Sequence, residues 1–97
     1  MPQPEAQELL RQLGAGWDLA HVSEGVMGLR KTYRFKDFGA ALNFVNKVGA
    51  IAEEQGHHPD MELAWGRVSV AIWTHKIEGL TESDFIFAAK CDRAFAE

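Results

Sequence analysis

The chain has 97 residues, 46% hydrophobic and 25% charged, which bounds it to one ordinary globular domain with a modest core. Ten Lys and Arg stand against fourteen Asp and Glu, a formal charge of −4 with no basic block, which argues against direct nucleic-acid binding. The single Cys91 excludes an internal disulfide, and the polar, acidic Met1–Leu13 stretch reads as neither signal peptide nor membrane span, so a cytoplasmic location is expected.

Pro4 to Leu13 reads as a short helix with Leu9, Leu10 and Leu13 on its apolar edge and Gly14 as a stop. Trp17 to Val22 is a short strand, Ser23-Glu24-Gly25 a turn, and Val26 to Phe35 a second strand. The second strand puts Leu29, Tyr33 and Phe35 on one side and Arg30, Thr32 and Arg34 on the other. Lys31 interrupts its apolar face, which suggests an edge strand or a local splay.

Asp37 is a good N-cap for a helix that runs to about Gln55. Its apolar arc holds Phe38, Ala41, Leu42, Phe44, Val45, Val48, Ile51 and Ala52, wider than one sheet contact needs. The favoured explanation is that a second surface of this helix meets another subunit. Pro59 to Trp65 and Val68 to His75 are the third and fourth strands, joined at Gly66-Arg67, with Trp65 and Trp73 expected in the core. Thr81-Glu82-Ser83-Asp84 reads as a capping box opening a last helix. The order α-β-β-α-β-β-α predicts an α+β fold: a four-stranded antiparallel sheet with helices packed on one face.

Three of the four histidines gather around the turn Glu53-Glu54-Gln55-Gly56-His57-His58-Pro59 and the end of the fourth strand, His75. An imidazole, with an ordinary pKa of about 6.5, gives and takes protons near neutrality. Each residue also has a plainer reading. His57 and His58 would be ordinary loop residues, His75 a strand-end histidine, and Asp84 a capping residue whatever the function. Glu53, four residues before His57, is placed to hydrogen-bond one of its nitrogens. Three imidazoles can also hold zinc, but neighbouring side chains diverge, no Cys lies near and no H-x₃-H spacing exists. His21 lies outside the group and has no assigned role. No phosphate-cradling loop, nucleophile elbow or nucleotide fingerprint is present, so acid–base chemistry on a small molecule, without metal or bound cofactor, is the expectation.

The spacing Glu53, three residues, His57-His58-Pro59, five residues, Trp65, nine residues, His75, eight residues, Asp84 resembles the signature of the pterin-4a-carbinolamine dehydratases. Gly16-Trp17, Tyr33-Arg34-Phe35-Lys36-Asp37-Phe38, Thr74-His75 and Gly79-Leu80-Thr81-Glu82 are similar to other recurring segments of that family. The resemblance runs from about Leu9 to Phe95 and implies a single domain over residues 1–97.

It implies removal of water from 4a-hydroxytetrahydropterin to give quinonoid dihydropterin, the recycling step for aromatic amino acid hydroxylases. The pterin is then the substrate, no cofactor is needed, and a hydroxylase is a functional partner. His57 and His75 match the acid–base positions, His58 a substrate-positioning one, and Glu53 would orient His57. Asp84 completes the signature. Substrate contacts would involve Gly56, His57, His58, Trp73, Thr74, His75 and Lys76. The family also implies a homodimer or homotetramer through the helix 37–55. The alternative is a non-catalytic assembly or dimerisation factor on the same scaffold.

Overall fold

The structure, a computed structural model, describes all 97 residues from Met1 to Glu97. Its elements are α1 (Gln3–Gln12), β1 (Asp18–Ser23), β2 (Val26–Arg34), α2 (Phe38–Gln55), β3 (Asp60–Ala64), β4 (Arg67–Ile72), a 3-10 turn (His75–Ile77) and α3 (Glu82–Ala96). The strands form one antiparallel sheet in the order β1-β2-β4-β3, so the two sequence hairpins join through their second strands. This is the α+β arrangement that the alternating pattern predicts. No helix is long and apolar enough to cross a membrane.

Strand alternation decides which sheet face receives the helices. Leu29, Tyr33, Val68, Val70 and Ile72 point inward and are buried, while Arg30, Thr32 and Arg34 face outward and are exposed. Fully burying an aliphatic side chain of this size is worth about 1.5–3 kcal/mol. The same core takes Ala41, Phe44, Val48 and Ala52 from α2, and Phe85, Phe87, Ala88, Cys91 and Ala94 from α3. Burial pushes the Cys91 thiol up to about 12, so it packs as an apolar group. Ala6 brings α1 onto this layer, with Leu9, Leu10 and Leu13 beside it.

Three expectations need correction. β2 is a central strand, paired on both sides, and not an edge. Lys31 is accommodated because its ammonium lies 2.8 Å from Asp92 of α3, above the rings of Trp17 and Tyr33. Asp92 also accepts hydrogen bonds from Trp17 Nε1 at 3.0 Å and Tyr33 Oη at 2.6 Å, so one carboxylate ties the chain before β1 and the middle of β2 to α3. Neither tryptophan of the second hairpin is core: β3 ends at Ala64 and the Trp65 indole projects from the hairpin turn, 68% exposed, while Trp73, just past the end of β4, is half-buried on a cleft wall. The fourth strand is also shorter than expected. It stops at Ile72, and His75 opens the 3-10 turn instead of ending the strand.

α2 begins where Asp37 accepts a hydrogen bond from the Ala40 N–H, as its sequence position predicts. It ends on Gly56, whose φ of 62° is left-handed and favours glycine. The apolar arc divides as follows: Ala41, Phe44, Val48 and Ala52 face the sheet, Val45 and Ile51 are half-buried, and Phe38 and Leu42 remain exposed at 44% and 41%.

Candidate active site

Two chain segments and one helix start build the site. After Gly56 turns the chain, the His57 N–H also reaches the Ala52 carbonyl at 3.1 Å, which fixes where the two imidazoles leave α2. After β4, Trp73 and Thr74 continue extended into the 3-10 turn. Reciprocal backbone bonds between Thr74 and Gly79, at 2.8 and 3.3 Å, close that loop and present His75 and Lys76. Glu78 makes the reversal in a left-handed conformation, with φ 51°. The capping box of Thr81 and Asp84 then starts α3.

These pieces enclose an open cleft of about 320 Å³ lined by Gly56, His57, His58, Trp73, Thr74, His75, Lys76, Thr81 and Ser83. A larger concavity, about 700 Å³, lies on the outer sheet face against Arg30, Asp60, Glu62 and Ser69, but holds no imidazole. The seven residues expected around the substrate all border the histidine cleft. Thr81 and Ser83 border it too, and the sequence reading left them out. Their position inside the capping box is a signal that could have placed them, because a helix N-terminus that starts beside the site turns its first side chains toward it. The cleft side chains do not gather as three or more His, Cys, Asp or Glu donors around one point.

His57 is the most constrained of the three imidazoles. Its Nε2 lies 2.8 Å from Asp84 Oδ1 and 3.2 Å from the Trp73 carbonyl oxygen. Both neighbours are acceptors, so the proton of the neutral ring is assigned to Nε2, leaving Nδ1 as the lone-pair nitrogen. The N–H is aligned with the carbonyl, and no aligned hydrogen bond reaches Oδ1, so the Asp84 contact is a close electrostatic one. The ring of Phe87, its centroid 5.9 Å from that of the imidazole and its plane inclined by 45°, packs beside it.

Asp84 lies beneath the cleft, fully buried. Its Oδ2 accepts the Thr81 N–H and the Thr74 hydroxyl, both at 2.9 Å. Burial raises its pKa above the usual carboxylate value, and the Thr81 and Thr74 hydrogen bonds and the charge of His57 oppose that rise. Asp84 is therefore the cap that its sequence position predicts, and it is also the partner of His57, a contact that the sequence does not announce.

Glu53 does not reach His57. Its carboxylate pairs with His58, Oε2 to Nε2 at 2.5 Å, on the exposed side of the last α2 turn. Gly56 is the reason: the left-handed residue breaks the helical spacing, and the first imidazole swings in toward Asp84 while the second stays over the helix end. His75 stacks on Trp73, ring centroids 4.5 Å apart and planes inclined by 31°, across the cleft from the residues after α2.

Residues 1–94 match the family described as pterin 4 alpha carbinolamine dehydratase. The chain belongs to this family. Among curated relatives, a Rubrobacter xylanophilus protein bearing the pterin-4-alpha-carbinolamine dehydratase name provisionally is 53% identical over 89 residues, which span 92% of this chain and 78% of that one. The Arabidopsis thaliana protein named pterin-4-alpha-carbinolamine dehydratase 2, mitochondrial, is 46% identical over all of this chain but only 51% of its own length. The crystal structure of a transcriptional coactivator/pterin dehydratase from Brucella melitensis superposes with a TM-score of 0.86 at 33% identity, covering 97% of this chain and 96% of that one. A pterin dehydratase-like protein described as a RuBisCO assembly factor in the alpha-carboxysome shares the fold alone, with a TM-score of 0.68 at 21% identity over 81% of this chain and 88% of that one.

Proposed function

We propose that this protein dehydrates 4a-hydroxytetrahydropterin to quinonoid dihydropterin by histidine general acid–base catalysis, without a metal or bound cofactor. The observation that carries the reading is the meeting of His57, His58 and His75 on one cleft, with His57 held by a buried carboxylate. The substrate is a carbinolamine. Its C4a–O bond breaks when the hydroxyl is protonated, and the N5–H electrons form the new C4a=N5 bond as that proton is removed. One group donates a proton, another accepts one, and water leaves. Such transfers are each worth about 10²–10⁴-fold.

In this reading His57 and His75 are the acid–base pair, and which one donates depends on the face of C4a that carries the hydroxyl. His58, steadied by Glu53, positions the pterin, and Asp84 orients His57. Gly56, Trp73, Thr74 and Lys76 form the remaining walls. Trp73 already stacks on an imidazole, and the same flat surface suits a heterocycle. A hydroxylase that makes the 4a-hydroxypterin is the functional partner, and the cytoplasm, where a lone buried cysteine stays reduced, is the proposed location.

The exposed Phe38 and Leu42 on α2 favour self-association into a dimer or tetramer through helix 37–55. A purely non-catalytic assembly role is the second reading, favoured by that same apolar surface. It gives no reason for Glu53, His57, His58 and His75 to be together.

The test is direct. A hydroxylase generates 4a-hydroxytetrahydropterin, and quinonoid dihydropterin formation is followed with wild type and with His57→Ala/His75→Ala. Acceleration by the wild type alone supports the proposal; equal, background rates for both would leave the assembly reading.

A further inference from the structure

The buried carboxylate beneath the cleft is held asymmetrically. Its Oδ2 is occupied twice, by the Thr81 N–H and the Thr74 hydroxyl, while its Oδ1 meets only His57 Nε2. A second hydroxyl stands behind the first, with Thr74 Oγ1 and Thr81 Oγ1 2.8 Å apart. Thr74 has one hydroxyl proton, and Asp84 takes it. The Thr81 hydroxyl must therefore donate to Thr74, which gives the chain a direction: Thr81 to Thr74 to Asp84.

We propose that Thr74, with Thr81 behind it, is a positioning residue: its hydroxyl occupies Oδ2 of Asp84 and so keeps Oδ1 as the oxygen that meets His57. The proposal rests on the proton-transfer role of His57 given above and adds what sets that role. With two donors aimed at Oδ2, a proton has no room there. Any proton that Asp84 takes sits on Oδ1, against His57. A carboxylate free to rotate, or to protonate on either oxygen, would leave the ring and its tautomer to the Trp73 carbonyl alone.

The surroundings leave few other controls. His57 is the titratable group whose charge reaches Asp84, and no other charged side chain pairs with that carboxylate from β4, the 3-10 turn or α3. His58, His75 and Lys76 share the cleft but are exposed and do not pair with Asp84, and His58 is already paired to Glu53. The hydrogen bonds from Thr74 and Thr81 favour the ionised carboxylate against the burial that disfavours it. Removing the Thr74 donor should shift the balance further toward the protonated acid.

The test uses the full chain without pterin, so that its outcome is independent of whether the protein is a dehydratase. Imidazole ¹⁵N signals of His57 and the side-chain carboxyl ¹³C signal of Asp84 are followed against pH for wild type, Thr74→Val and Thr74→Ser. In wild type the neutral His57 ring is expected as the Nε2–H tautomer. In Thr74→Val the Asp84 proton uptake moves up by about one pH unit and His57 shows a mixture of tautomers; Thr74→Ser restores both. Thr81→Ala, which keeps the backbone donor, gives a smaller shift in the same direction and serves if Thr74→Val does not fold. Unchanged Asp84 and His57 signals in Thr74→Val, or in Thr81→Ala when it stands in, would overturn the proposal, as would a Thr74→Ser protein that behaves like Thr74→Val. On the proposed reaction, Thr74→Val should lower kcat about tenfold and move its acid limb upward, with Thr74→Ser restoring the profile.

Discussion

His57 Nε2 sits 2.8 Å from Asp84 Oδ1, joining the residue that follows α2 to one in the first turn of α3. The chain separates these two by the whole of the second hairpin. Their meeting depends on three local devices: the left-handed Gly56, the loop closed between Thr74 and Gly79, and the capping box. The candidate site is therefore a product of element ends, and the sheet only sets their spacing.

Asp84→Asn tests what the pair does to the ring. An amide at this position can still accept the Thr81 and Thr74 hydrogen bonds through its oxygen. Its NH₂ then faces Nε2 where an acceptor stood, so the Nε2–H tautomer is held by the Trp73 carbonyl alone and the Nδ1–H tautomer gains population. We expect a fall in turnover of about 10²-fold, within the range of lost acid–base catalysis, with pterin binding less affected. Steady-state kinetics with an equilibrium pterin-analogue titration measures both quantities.

The same carboxyl links stability to pH. Its folded pKa lies above the unfolded one because burial disfavours the charge. The folded state then holds the extra proton between the two values, so the stability this group contributes is present at acid pH and lost as pH rises through the folded value. The melting temperature of wild type relative to Asp84→Asn should accordingly fall as pH rises upward from the ordinary carboxylate range. A difference that rises with pH in this window would contradict the assignment.

Asp92→Ala removes the common acceptor of Trp17, Lys31 and Tyr33 and leaves a half-buried ammonium without its partner. The expected loss is about 2–4 kcal/mol in urea denaturation. The network lies away from the histidine cleft, so kcat of the protein that remains folded should stay within about twofold of wild type.

Leu42→Glu places a charge in the exposed apolar part of α2 without touching the buried positions Ala41, Phe44 and Val48. On the proposed self-association, sedimentation velocity should show wild type as a dimer or tetramer and Leu42→Glu as smaller species, with the far-UV spectrum unchanged. An unaltered sedimentation coefficient would remove helix 37–55 as the interface.

The element order was legible because each boundary carries its own chemistry: Asp37 before a helix, Gly56 after it, Thr81 to Asp84 before the last one. The central place of β2 was hidden by Lys31, whose compensation by Asp92 comes from a residue 61 positions away. Periodicity within a strand does not carry that information. Trp65 was misplaced for the opposite reason: alternation continues to the end of an apolar run, but the hydrogen-bonded ladder stops one residue earlier. At the site, the residue types and spacing named the histidines. The partner of Glu53 depended on the direction in which Gly56 turned the chain, and i to i+4 spacing holds only where the helix continues.

The most direct measurement is the decay of enzymatically generated 4a-hydroxytetrahydropterin in a stopped-flow instrument, followed with wild type, His57→Ala, His75→Ala and the double variant. The account predicts acceleration by the wild type, a loss of about 10²–10⁴-fold in each single variant, and a double variant little worse than either, as expected for groups that act as a unit. A wild-type protein no faster than buffer, or single variants as fast as wild type, would contradict it.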